Sequence, residues 1–152
     1  DMELLSSYYQ KEITAMHIAV RTSLPDNPLF IDGNAEQLGK TIMSLLNNGM
    51  YAIAKKYGKK AYPAEIGLAL ESKDGQAVIR LYDNGVGIEQ SILDKIFDPF
   101  FTTKTTGEAA GIGLYLSKEI ILNHHGQIAV RSEKDELTEF TITLPLWEEK
   151  SV

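Results

Sequence analysis

Four short segments of the sequence carry residue types that suit chemistry better than packing. The first is Leu45-Leu46-Asn47-Asn48-Gly49-Met50-Tyr51-Ala52. Asparagine amides compete with the backbone for hydrogen bonds, so an adjacent pair is a poor choice inside a helix. Such a pair fits if an amide oxygen faces a cation or a ligand. It equally fits a solvent-facing pair, or one that ties down a loop. The second is Asp83-Asn84-Gly85-Val86-Gly87-Ile88. A carboxylate followed by two glycines lets backbone approach a flat ligand and can accept a hydrogen bond from an exocyclic amine. The same letters also spell a hairpin turn. The third, Ile96-Phe97-Asp98-Pro99-Phe100-Phe101-Thr102-Thr103-Lys104, reads as an aromatic core corner or as the hinge of a loop whose lysine reaches an anion. The fourth, Gly111-Ile112-Gly113-Leu114-Tyr115-Leu116, opens a helix. Free N–H groups and the helix dipole make such a start suitable for phosphate, though a flexible joint has the same sequence.

Other chemistries are excluded by what the sequence lacks. No glycine-rich loop runs into Gly-Lys-Ser/Thr, and no Gly-x-Gly-x-x-Gly follows a strand, so the common phosphate cradles are absent. There are no cysteines, which removes disulfides and thiolate metal sites. The net charge is −6, a poor match for a phosphate backbone, so no nucleic-acid partner is expected. No apolar run reaches the ~18–20 residues that span a bilayer, so no membrane contact by this domain is expected. Hydrophobic residues make up 43% of the 152 and charged ones 24%, ordinary values for a single globular domain over 1–152.

The elements that must position these segments follow from period and punctuation. Residues 13–21 alternate as a half-buried strand does, and Leu29-Phe30-Ile31 is expected to pair with it. Asn34 is placed to cap a long helix running through Leu38, Ile42, Leu45, Leu46, Met50 and Ile53 to about Tyr57, closed by Gly58. Strands follow at about 65–71 and 76–82, joined by Lys73-Asp74-Gly75, a hairpin signal. A short helix is expected over 89–97, a mobile loop over 101–110, and a helix over 112–124 that Gly126 ends. Two strands, about 127–132 and 138–144, close the pattern. The order implies an α+β fold: a two-layer sandwich with a mixed, mainly antiparallel sheet and helices on one face.

Together, in this order, the four segments resemble the N, G1, F and G2 boxes of sensor histidine kinases, members of the Bergerat-type ATPases shared with DNA gyrase, mismatch-repair and chaperone ATPases. The likeness runs from about Phe30 to Pro145. It implies ATP and Mg2+ as cofactors, held between helices and a flexible lid. By resemblance, Asn48 is the magnesium ligand and the catalytic residue, and Asp83 reads adenine. Gly85 and Gly87 make room for base and phosphates, and Phe97, Phe100 and Phe101 anchor the lid. Gly111, Gly113 and Leu114 form the phosphate-side helix start. Lys55, Lys56 and Lys104 are candidate phosphate contacts, Lys104 being the one within the boxes. The resemblance further implies a cytoplasmic domain, with residues 1–12 a helix end or linker from a dimerisation domain that lies outside this sequence. That domain would bear the phosphate-accepting histidine, and a response regulator receiver domain would take the phosphate onward.

His17 lies on the expected first strand and lacks the acidic neighbour and proline of the acceptor helix, while His124 and His125 suit the negative end of the last helix, so structural or surface roles are expected for all three. Several positions depart from the family. Ser44 stands where kinases have asparagine and the hydrolysing relatives a glutamate base. Gly49 replaces alanine, Tyr51 replaces lysine, and Glu108-Ala109-Ala110 replaces a lid glycine. Leu137-Thr138-Glu139-Phe140 lacks a usual glycine. A carboxylate general base is needed to activate water, so Ser44 argues against gyrase-type hydrolysis. A degenerate nucleotide-sensing module is the other reading that the motifs allow.

Overall fold

A computed structural model describes residues 18–58, 63–99, 101 and 113–148. Five strands form one sheet: β1 (Ala19–Ser23), β2 (Glu65–Lys73), β3 (Gln76–Asp83), β4 (Gln127–Glu133) and β5 (Leu137–Pro145). Their spatial order is β1-β2-β3-β5-β4. β1 and β2 run parallel, and every other pair is antiparallel. A parallel pair needs a crossover between its strands. The long helix α1 (Ala35–Tyr57) supplies it. A short helix α2 (Gln90–Leu93) and a third, α3 (Gly113–Asn123), complete the elements.

Local chemistry fixes the ends of these elements. Asn34 Oδ1 accepts from the Gln37 N–H at 3.0 Å and so satisfies one orphan donor of α1. Gly58 takes φ +59° and donates to the Ala54 carbonyl. In the β2–β3 turn both Asp74 (φ +52°) and Gly75 (φ +77°) are left-handed, as a two-residue hairpin of matching twist requires. His124 ties two helices together. Its Nε2 accepts from the Asn34 N–H at 2.9 Å, while its Nδ1 donates to the Ile120 carbonyl at 2.7 Å. Both ring nitrogens are committed, in the neutral tautomer, to joining the start of α1 to the end of α3. The expected structural role for this histidine therefore has a geometric basis.

The helices lie on one face of the sheet. Leu45 of α1 and Ile121 of α3 share a buried cluster with Leu81, Phe140, Ile142 and Leu144 from the strands. A second cluster, Ile18, Met50, Ile53, Ala64 and Ile66, fills the space under the other half of α1. The opposite face of the sheet carries paired charges. Arg21 meets Glu65 at 2.9 Å, and Arg80 meets Glu71 at 2.6 Å. The Tyr82 ring lies across Gly67, leaving no room there for a Cβ, and its hydroxyl donates to Glu65. That hydroxyl, and then Arg21, hold the Glu65 carboxyl below its usual range.

The α+β sandwich expected from the sequence is the observed one, with differences at its edges. The first strand begins at Ala19, and residues 13–17 lie outside the described part. Leu29-Phe30-Ile31 is not a strand. β1 already takes β2 as its partner, and this segment is instead held by a bond from the Trp147 N–H to the Phe30 carbonyl at 2.7 Å. The helix expected over 89–97 is one turn of helix followed by turns. Gly126 does not supply the left-handed residue after α3. His125 does, with φ +62°, while Gly126 is small because a Cβ would stand 2.3 Å from the Thr143 carbonyl oxygen of β5. Of the loop expected over 101–110, only Phe101 is described.

Candidate functional site

α1 presents Asn48, Tyr51, Ala52 and Lys55 along one stripe at helical spacing, and all four line a cavity of about 350 Å³. That size suits a small organic ligand. Asn47, adjacent in sequence, points elsewhere and is exposed, so the two amides have separate environments. Ser44 lies one turn before Asn48 and is half-buried.

Asp83 ends β3 at the cavity wall, only 5% exposed. Its Oδ1 accepts from the Gly85 N–H at 2.9 Å. Burial pushes the carboxyl up to about 7, against the opposing pull of that N–H and of the Lys56 ammonium. A buried carboxylate is maintained only where something rewards it, which makes Asp83 a binding-site candidate on physical grounds.

The loop after Asp83 is seated on two elements. A Cβ on Gly85 would stand 2.5 Å from the Ala52 carbonyl carbon, so glycine is what lets this loop lie on α1. The Val86 N–H then donates to Ala52 O at 3.2 Å. Gly87 lines the cavity with φ +71°, and a Cβ there would meet the Glu133 carbonyl oxygen at 2.3 Å. Asn84 is structural: its side chain accepts from Glu65 N–H and donates to the Pro63 carbonyl, closing the start of β2.

The β4–β5 turn holds the same loop from its other side. Asp135 N–H donates to the Val86 carbonyl at 2.6 Å, and Lys134 pairs with Glu89 at 3.1 Å. Lys56 Nζ donates to the carbonyls of Asp135 and Asn84 at 2.5 and 3.3 Å. Lys56 is thereby a clamp between loops. Lys55, one residue earlier, is the lysine of this pair that faces the cavity.

The apolar wall comes from Ile88, Ile92, Ile96, Phe101 and Leu114. The two described phenylalanines of the aromatic segment part company. Phe101 lines the cavity, whereas Phe97 packs edge-on against Phe140, ring centres 6.4 Å apart, in the core. Gly113 is the first residue of α3. Lys104, Phe100 and Gly111 lie outside the described residues. Among the described residues there is no cluster of three His, Asp or Glu that would cage a metal unaided. A metal here would have to draw most of its ligands from a bound molecule and water.

Several lining residues lie outside the four segments singled out from sequence: Glu89, Ile92, Lys134, Asp135 and Thr138. Thr138 had a signal. It shares the inner face of β5 with Phe140, Ile142 and Leu144, a hydroxyl in an apolar stripe. Ser132 likewise follows Ile128 and Val130 on the inner face of β4.

Comparison with known proteins bears on the family and the fold. A family model described as "Histidine kinase-, DNA gyrase B-, and HSP90-like ATPase" matches residues 33–148. Sporulation kinase D of Bacillus subtilis is 34% identical over 123 residues, covering 81% of this chain and 22% of its own length. The signal transduction histidine-protein kinase AtoS of Escherichia coli is 39% identical over 122 residues, covering 80% and 19%. The chain thus spans about a fifth of these curated relatives. The catalytic domain of histidine kinase ThkA superposes with a TM-score of 0.78 at 22% identity, covering 94% of this chain and 88% of that one. That likeness is one of fold. Among the described residues no helix is long and apolar enough to cross a membrane.

Proposed function

This chain belongs to the histidine kinase-, DNA gyrase B- and HSP90-like ATPase family, and from that premise we propose that it positions Mg-ATP for transfer of the γ-phosphoryl group to a histidine on a separate domain. The observation that carries the reading is Asp83: a buried carboxylate at the wall of a 350 Å³ cavity, beside a glycine loop fitted to the helix that bears Asn48. A carboxylate accepts from the exocyclic amine of adenine, and the apolar wall of Ile92, Ile96, Phe101 and Leu114 suits the faces of a base. The start of α3 at Gly113 would meet phosphate with free N–H groups. Lys55 extends the cavity lining with a cation.

Magnesium, when bound, neutralises phosphate charge. Asn48 would hold it, its side-chain amide oxygen being a hard ligand of the kind magnesium takes. The residues of this chain orient the nucleotide and exclude water from the base. In the transfer, an imidazole nitrogen of the acceptor forms a bond to the γ-phosphorus as the bond to the β–γ bridging oxygen breaks, and ADP departs. The acceptor domain and a response regulator are the partners this chemistry requires, and the similarity to whole sensor kinases supports them. Ser44 offers no carboxylate one turn before Asn48, so hydrolysis of the gyrase kind is disfavoured.

Calorimetric titration with a non-hydrolysable ATP analogue, with and without magnesium, tests the binding half. Assay of phosphohistidine on a cognate helical domain tests the transfer half. Saturable binding with no transfer would leave a nucleotide-sensing module in place of a kinase.

A further inference from the structure

We propose that Ser132, which is remote from the sequence motifs, sets the hydrogen-bonding polarity of the base pocket and so makes it select a 6-amino purine over a 6-oxo purine. The inference rests on the nucleotide reading above and adds to it the origin of base selectivity.

Ser132 is 2% exposed and its Oγ has three partners. The Ile88 N–H reaches it at 2.7 Å, and an N–H can only donate. The Leu137 carbonyl lies at 2.8 Å, and a carbonyl can only accept. The single serine proton therefore goes to Leu137. The third partner, Thr138 Oγ1, is at 2.9 Å. With the serine proton already used, Thr138 must be the donor in this contact. Thr138 is itself 3% exposed and lines the cavity. Its proton points away from the ligand space, so its oxygen offers that space lone pairs alone.

Thr138 is the cross-strand partner of Asp83, on the same face of the sheet. With Asp83 ionised, as it is above about pH 7, two neighbouring groups at this wall thus present acceptors. An amine at the purine 6-position has protons for them. A 6-oxo purine brings an oxygen to the same place, and acceptor would face acceptor at two buried side chains. Ser132 is a positioning residue here: it touches no ligand and acts through Thr138.

The test compares Mg-ADP and Mg-IDP by calorimetry on the whole chain, for wild type, Ser132→Ala, Thr138→Val and the double variant. Wild type is expected to prefer ADP. Ser132→Ala frees the Thr138 hydroxyl to turn and donate, so the ADP-to-IDP preference is expected to fall about tenfold, one hydrogen bond's worth. Thr138→Val is expected to lower the preference comparably, and adding Ser132→Ala to it should change the preference no further. A folded Ser132→Ala that weakens both nucleotides equally would overturn the proposal, since that is the signature of mere loop support. If Ser132→Ala does not fold, an unchanged preference in Thr138→Val overturns it alone. Failure of wild type to bind either nucleotide would instead overturn the nucleotide reading beneath it.

Discussion

Lys56 and Asp135, 79 residues apart in sequence, meet where the lysine ammonium donates to the aspartate's main-chain oxygen at 2.5 Å. The same ammonium reaches the Asn84 carbonyl at 3.3 Å, so one side chain at the end of α1 holds both the glycine loop and the β4–β5 turn. It also lowers the affinity of Asp83 for a proton. Replacing Lys56 with methionine keeps the aliphatic stem and removes the charge. We expect a loss of about 1–2 kcal/mol in denaturant melts, the scale of charge-assisted hydrogen bonds at a partly exposed site. The Asp83 titration should move further upward, because a cation that favoured its ionised form is gone.

Asp83 itself gives a signed pH prediction. Its carboxyl is pushed up to about 7 in the folded chain from 3.8. Between those values the folded state holds a proton that the unfolded state has lost, so stability falls as pH rises from about 4 to about 7 and levels off above. The fall attributable to this group is on the order of 4 kcal/mol. Asp83→Asn removes that slope. At pH 8 the variant should be at least as stable as wild type, and the difference should vanish near pH 4. Its nucleotide affinity should drop at least tenfold, since a charged acceptor has been lost. A stable variant with unchanged affinity would show that base recognition lies elsewhere.

Two glycines on the motif segments should respond in opposite directions. A Cβ on Gly49 would lie 3.4 Å from Asp83 Oδ2, an ordinary contact, so Gly49→Ala is expected to stabilise by about 1 kcal/mol through helix propensity and leave nucleotide affinity intact. The spacing at Gly49 does not require the absence of a Cβ. Gly85→Ala would instead drive a methyl to 2.5 Å from the Ala52 backbone. A loss of about 3 kcal/mol and of nucleotide binding should follow, as the loop lifts from α1. Thermal melts and titrations of the pair check both signs.

Tyr82 and Asp83 are neighbours in sequence on opposite faces of the sheet. Tyr82→Phe deletes the hydroxyl that donates to Glu65. At this partly exposed outer face the loss should stay below about 1 kcal/mol, and nucleotide titrations should match wild type. A change in affinity would reveal communication through the sheet.

These residues also show how far the sequence could be read. The long helix, the Asp74-Gly75 hairpin and the last two strands announce themselves by period and by turn chemistry, which are local. Asn48 and Asp83 stand out because each residue type is costly in its element unless it serves a ligand. Lys55 and Lys56 look alike in sequence, yet one faces the cavity and the other clamps loops, a distinction made by a helical rotation of ~100°. Phe97 and Phe101 likewise separate only once the chain is folded around Phe140. The contribution of the β4–β5 turn was least legible, because Ser132, Lys134 and Asp135 meet the glycine loop across more than 40 residues of chain.

The contact between Trp147 and Phe30 has a spectroscopic consequence. The chain has a single tryptophan, Trp147, and the residue is 55% exposed. The preceding residue, Leu146, donates to the Gly75 carbonyl at the β2–β3 turn, the end of β3 opposite Asp83. Seven residue steps at ~3.3 Å each put roughly 23 Å of strand between that turn and the cavity wall. Tryptophan emission therefore reports on the packing of the chain's distal seam and is insulated from the ligand site. Emission that stays constant during a nucleotide titration is the expected baseline, and emission that shifts during unfolding gives an independent optical clock for the far end of the sheet.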